Sequence, residues 1–347
     1  GSEMCIRDSP EGEENMTSLN PTKNSFNFQS SFSLNTAYFS KFNLQGAVSE
    51  YNHSERTGDG NNHNINFFSD LYEIKTSLNH KSIIDVNSEG LIGFHFQNYD
   101  QGALGQEESH LVHTRTSSFA LFALESFNFD LFDLDIGGRV ESVNLKNTSM
   151  EKGFFPGAFS STIKKEIFNN NSVFGGFDFT QRAPNAVELF ANGPHHAQEQ
   201  FEVGDSNMSV ETSYNFSLGY SYNDGLDTLK IETYYNYIDD FIAADRDGNT
   251  TEVEGEDMNN VNFTQYNAFF TGLEVSGQYA LAKINDFDII SNVMIDFLKG
   301  YRNSNDKALS GIPQTKMNFG IKAVDENWDA NLNYYHYFDK DFIGPFQ

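Results

Sequence analysis

The sequence predicts an all-β chain, a stretch of transmembrane, antiparallel, up-and-down β-barrel. Three observations predict it. Apolar and aromatic residues hold every second position in about fourteen runs, with Asp, Asn, Ser, Lys or Gly mostly between them. Successive side chains of a strand point to opposite faces, so each run has one apolar and one polar face. The runs are about 10–13 residues long, against roughly 5–6 for an ordinary globular strand, and a tilted strand crossing hydrocarbon needs about 9–11. Finally, the links alternate between short and long.

The rhythm begins at Phe26, and the first run turns at Asn35–Ala37. The second run ends in a long polar link, Asn52–Asn66. The next link, Asn79–Ser88, is longer than the short class and fits the alternation less well. Asp100–Thr114 is long and Asn128–Asp130 short. Phe132, Leu134, Ile136, Gly138 and Val140 then carry one face, and the following pair closes at the short turn Asn169–Asn171. Arg182–Val210 is the longest link. Tyr214, Phe216, Leu218, Tyr220 and Tyr222 lead to the turn Asn223–Gly225, and Asp240–Gln265 is long again. Lys283–Asn285 precedes Phe287, Ile289, Val293, Ile295 and Phe297; Tyr301–Gln314 is long and Asp325–Asn327 short. Short turns on one side and long loops on the other describe a bacterial outer-membrane barrel. A sandwich or propeller also gives many strands, without this asymmetry.

Composition narrows the partners. There are 49 acidic against 22 basic residues, a net charge of −27. That excludes a nucleic-acid footprint and favours cations as partners or simply solvated loops. Of 347 residues, 34 are Phe and 16 Tyr, and Tyr99, Phe154, Phe155, Tyr237 and Phe241 fall near strand ends, where barrels place aromatic girdles against outer-membrane lipid. No apolar stretch approaches the roughly 18 residues of a transmembrane helix. No signal peptide heads the chain, so an outer-membrane address implies a piece of a longer protein. Residues 1–23 are expected to be a non-native or disordered leader with a loop remnant; the string Met4-Cys5-Ile6-Arg7-Asp8-Ser9 reads as sequencing-adapter read-through and holds the single cysteine. Residues 24–343 are expected to be barrel, incomplete at both ends.

Three long links carry histidines beside acids. His195 and His196 stand with Glu199, Glu202 and Asp205; His110 and His113 with Glu107 and Glu108; His53 and His63 with Glu55 and Asp59. Imidazole with carboxylate suits a divalent transition metal such as zinc. Adjacent histidines on an extended chain point opposite ways, whereas His110 and His113 converge if the chain turns. The alternative for each is hydrogen bonding within a loop. Asp245-Arg246-Asp247-Gly248-Asn249 imitates the start of a calcium loop, with Glu252, Glu254, Glu256 and Asp257 downstream, but the twelve-residue spacing and flanking helices of an EF-hand are absent. No nucleophile elbow, metalloprotease motif, P-loop or cysteine nucleophile is present, so no enzyme is expected.

One segment goes beyond architecture. Phe179-Thr180-Gln181-Arg182-Ala183-Pro184-Asn185-Ala186-Val187-Glu188-Leu189-Phe190-Ala191-Asn192-Gly193-Pro194-His195 continues through Phe201-Glu202-Val203-Gly204-Asp205 to Glu211. It resembles a signature segment of the TonB-dependent outer-membrane receptors, in a form shared with their zinc-uptake branch. Gly93 to Tyr99 with Ala103 to Glu108, Thr271-Gly272-Leu273-Glu274, and Gly311-Ile312-Pro313-Gln314 followed by Trp328 resemble further family segments, in the same order. Gln314 departs from the second proline of the family's turn. The resemblance implies a larger barrel of about 22 strands, of which this chain supplies about 14. It implies a plug domain absent from this sequence, energy delivered by TonB through that plug, and a cargo of scarce metal ion or metal chelate: zinc first, then a ferric siderophore or haem. A plug-less passive porin or adhesion barrel is the alternative of another class. The matching positions are Arg182, Pro184, Glu188, Leu189, Asn192, Gly193, Pro194, His195, Glu202 and Gly204. Arg182 then pairs either with plug acids in the lumen or with a local acid such as Glu188.

Overall fold

The computed structural model describes residues 18–56, 64–82, 87–105, 109–253, 255–303 and 307–339. The string at 4–9, Glu107, Glu108, Asp59, His63 and Glu254 lie outside them. The elements follow in order: β1 (Ser18–Ser33), β2 (Phe39–Arg56), β3 (Asn64–His80), β4 (Asn87–Gly105), β5 (Thr114–Asn128) and β6 (Asp133–Lys146). Then come β7 (Glu151–Phe154), β8 (Gly157–Phe168), β9 (Asn171–Arg182), α1 (Ala186–Phe190), β10 (Asn192–His195), a 3₁₀ turn (His196–Gln198) and β11 (Gln200–Val203). The chain continues with β12 (Glu211–Asn223), β13 (Thr228–Val253), β14 (Glu256–Ile284), β15 (Phe287–Arg302), β16 (Lys307–Ala308), β17 (Lys316–Val324) and β18 (Asp329–Tyr337).

Fourteen of these strands (β1 to β6, β8, β9, β12 to β15, β17 and β18) pair antiparallel with their neighbours as one wall. The two-residue rhythm fixes the faces. Phe216, Leu218, Tyr235 and Leu273 stand exposed on the outer face, where lipid would meet them. Asn215, Glu232, Tyr234 and Glu274, at the alternate positions, line the inner one. Register brings aromatics side by side: Phe177 lies 4.9 Å from Phe216, and Phe269 lies 4.8 Å from Tyr301, centroid to centroid. On the inner face ring and glycine pair. A Cβ on Gly219 would meet the Phe174 ring at 2.1 Å, so the glycine is what lets the ring lie flat across the strand.

The strands run further than the rhythm does. Residues 18–23 belong to β1, paired to the outer end of β2. The stretch 240–265, expected as a loop, is mostly strand: β13 and β14 continue as a ladder to Val253 and Glu256, with bulges at Ile238/Phe241 and Arg246/Thr250. The compact apolar core lies in this outer region rather than in the wall. Val143, Leu145, Ala186, Leu189, Phe190, Met208 and Ile242 pack together, with Val112 and Phe154 against them. Phe154 therefore joins that core rather than a lipid girdle. Among the described residues no helix is long and apolar enough to cross a membrane.

Candidate metal centre at the outer mouth

β9 leaves the wall at Arg182 and enters the longest link. Pro184 is fully buried and disfavours helix at Ala183, so the helix starts after it. Asn185 caps α1 reciprocally with Glu188: its Oδ1 accepts from Glu188 N at 2.9 Å, and Glu188 Oε2 accepts from Asn185 N at 2.7 Å. The same carboxylate receives Arg182 Nη1 at 2.9 Å. Arg182 Nη2 reaches Glu211 Oε2 at 3.2 Å, which also accepts from Ile242 N at 2.8 Å. Arg182 is thus locally paired, and Glu211, which the sequence offered only as the end of a motif, ties β12, β13 and the helix segment together. Leu189 anchors α1 in the core. Gly204 donates to Ala191 O at 2.8 Å, and a Cβ there would lie 2.8 Å from the Leu189 carbonyl carbon, so only glycine passes.

After α1 the chain makes the hairpin β10–β11, with Asn192 opposite Val203, Gly193 opposite Glu202 and His195 opposite Gln200. His195 and Glu202 are diagonal neighbours on one face of it, and His195 Nδ1 lies 2.7 Å from Glu202 Oε1. β11 then pairs in parallel with the outer part of β14, Glu202 opposite Val261. On the other side, buried Pro194 accepts from His110 N at 3.1 Å. That approach needs Gly193: a Cβ on it would sit 2.7 Å from Ser109 O and 3.0 Å from His110 N.

The result joins two loops that the sequence kept apart. The rings of His110 and His195 stack, with centroids 4.2 Å apart and planes at 19°. One donor atom from each of His110, His195 and Glu202 falls within 4.8 Å of the others. His110 and Glu202 are buried, at 8% and 7% exposure, and the His195 side chain is half-buried. Burial, followed by the charge of His195, pushes the His110 imidazole below its ordinary pKa. Burial acts to raise the Glu202 carboxyl, but the hydrogen bond from His195 and the charges of His110 and His195 outweigh it and hold the carboxyl low. Two imidazoles and a carboxylate, held by two loops, make a donor set for a borderline divalent ion.

The other sequence candidates fall elsewhere. His113 does not converge with His110: Val112 between them packs on the core, and His113 turns outward to Asp100 Oδ1 at 2.7 Å. His196 opens the 3₁₀ turn and Glu199 closes it in the left-handed conformation, φ 53°, and neither belongs to the donor trio. Asp205 Oδ1 accepts from Asn207 N at 2.8 Å. His53 stacks on Phe67 at 4.7 Å. Asp245, the first residue of the calcium-like string, is paired with Arg302, whose guanidinium lies 3.6 Å over the Tyr266 ring. Asp247 receives Asn249 N at 2.8 Å.

Residues 6–346 match the family model described as TonB dependent receptor-like, beta-barrel. Among solved structures, the copper transporter OprC superposes with a TM-score of 0.74 at 15% identity, covering 93% of this chain and 52% of that one. The Serratia marcescens hemophore receptor HasR, solved with its hemophore and heme, gives 0.71 at 12% identity over 94% and 61%. The siderophore receptor PirA of Acinetobacter baumannii gives 0.68 at 13% over 92% and 50%. The chain thus spans about half the length of these structures, and at such identities they show its fold.

Proposed function

The chain belongs to the TonB-dependent receptor β-barrel family, and from that premise we propose that it forms wall and outer mouth of an outer-membrane receptor for active uptake of a scarce metal, with zinc the favoured cargo. Energy reaches such a receptor from TonB through a plug domain. The observation that carries the choice of cargo is the state of the charges. Arg115, Arg139, Arg182 and Arg302 are each paired to a carboxylate, as are Lys230 and Lys316. An anionic ferric chelate needs basic side chains to grip it, and these six are already engaged. The surplus is acidic, 49 residues against 22: on the inner face Glu232, Glu274 and Asp296 lie directly opposite one another across β13, β14 and β15, and two lysines, Lys230 on Glu232 and Lys316 on Asp296, stand against these three carboxylates. Like charges so placed repel, and a passing cation relieves the repulsion that the lysines leave. The copper transporter among its structural neighbours is a precedent for a metal cargo on this fold.

The test is accumulation of radioactive zinc by cells that carry the complete receptor, with and without a functional TonB. Zinc uptake that requires TonB is the expected result. Uptake of a ferric siderophore in place of zinc would reassign the cargo, and zinc entry without TonB would make the barrel a passive pore.

A further inference from the structure

We propose that His110, His195 and Glu202 form a three-ligand site for a divalent transition-metal ion, the ion replacing the proton between His195 Nδ1 and Glu202 Oε1, which moves to His195 Nε2 or, from the imidazolium, leaves to water, and taking His110 as its third protein ligand. This goes beyond the identity of the cargo. It holds whether the ion is on its way through the barrel or stays to staple two loops.

Geometry comes first. His195 and Glu202 already face each other at 2.7 Å, and the donors of all three residues lie within 4.8 Å. A tetrahedral zinc with bonds of about 2.0–2.1 Å places its donors roughly 3.3 Å apart. The trio closes on an ion by moving ~1.5 Å or less, mostly by imidazole rotation about the bond to the ring, a torsion with a broad well. The stacked rings must slip past one another to do so, because their in-plane lone pairs now lie side by side.

The surroundings favour an ion as well. A carboxylate at 7% exposure beside two imidazoles is a costly group to bury unless its charge is compensated. One hydrogen bond compensates it in part, and a divalent ion does so fully. The backbone beneath is rigid: His110 is pinned by Pro194 O, His195 and Glu202 by the hairpin ladder, and that hairpin by β14. Preorganised ligands on ladders, rather than on free loops, make a site precise. The N₂O donor set selects zinc, cobalt(II) or copper(II) over calcium and magnesium, which take oxygen. Three protein ligands leave one position for water or for an exchanging ligand.

Cobalt(II) is the probe, added to the complete receptor in detergent. The expected result is a set of visible d–d bands of four-coordinate intensity, bleached by zinc, with the apparent affinity falling at least about tenfold in Glu202→Gln and in His110→Phe. Glu202→Gln keeps a hydrogen bond to His195, and His110→Phe keeps the stack, so both variants are built to fold. His113→Ala should bind as the parent does. Amide exchange on the unsubstituted receptor needs no variant: zinc should slow the amides of 109–111 and 192–203. Absence of the bands, parental affinity in both variants, or protection confined to other loops would each overturn the site and leave the trio a packing cluster. Zinc uptake by cells is a separate reading, so failure of the cargo and failure of the site are told apart.

Discussion

Gly193 has no room for a methyl group, and the consequence is local and testable. Its Cβ would meet backbone atoms of Ser109 and His110, which cannot rotate aside as a side-chain tip does. Gly193→Ala should push the 109–113 segment off β10, separate His110 from His195, and lower cobalt affinity about as much as removing His110, with the barrel still folded by its heat-modifiable migration. The same trio sets a pH dependence in the metal-free receptor. His110 is held below its ordinary value of 6.5 and Glu202 below its ordinary 4.5. For both, the unfolded chain binds protons more readily than the folded one, so their contribution is complete above about pH 6.5 and is lost as pH falls through the lowered values. The protection factors of the His110 amide and of β10–β11, corrected for the intrinsic slowing of exchange in acid, should therefore fall as the pH drops from 7 to 4.5 through His110 and further below 4.5 through Glu202, and protection unchanged over that range would contradict the assignment. At this scale the sequence was half legible. His195 and Glu202 stand seven apart in one motif, and a hairpin brings such a pair together. His110 was visible as a histidine among acids, but its partner lies in another loop, and nothing in its own neighbourhood reports a crossing made possible by a glycine at 193.

The elements that hold the mouth are short, and their stability comes from caps and ion pairs rather than length. A five-residue helix does not persist on propensity. α1 stands because Asn185 and Glu188 cap each other and because Leu189 is buried. Arg182→Met removes the cation shared by Glu188 and Glu211 and leaves two largely buried carboxylates facing each other. A cost of about 1–3 kcal/mol is expected, with the half-exposed arginine keeping it from the upper end of buried pairs. Thermal unfolding followed by tryptophan-independent far-ultraviolet dichroism, with the same substitution at exposed Arg115 as control, reads it. Equal midpoints for the two variants would show that Arg182 is not the clamp. The motif containing these residues was plain in the sequence, but the role of Glu211 was not. The extent of β13 and β14 was not legible either. Period-two patterning arises where one face is apolar and the other wet. Beyond the membrane both faces meet water, so residues 240–265 lose the alternation while their backbone ladder continues.

The whole molecule was the most legible scale, because the physics there is repetitive. Each wall strand must bury its backbone polar groups in a ladder and show lipid an apolar face, and that condition writes the same pattern into every run. The links then disclose sidedness, since turns on one side are minimal and loops on the other are free to grow. What the pattern does not carry is the convergence of those loops, which is a matter of tertiary contact in the outer region: the helix segment, the β10–β11 hairpin, the extended β13–β14 ladder and the 109–113 segment before β5. The molecule thus joins a regular wall to one small built site, and the claim that this site holds a metal is the centre of the proposal. The most direct measurement is anomalous diffraction at the zinc edge from crystals of the complete receptor grown with stoichiometric zinc. A peak between His110, His195 and Glu202 is the expected result. A zinc peak elsewhere, with His195 still hydrogen-bonded to Glu202, would contradict it.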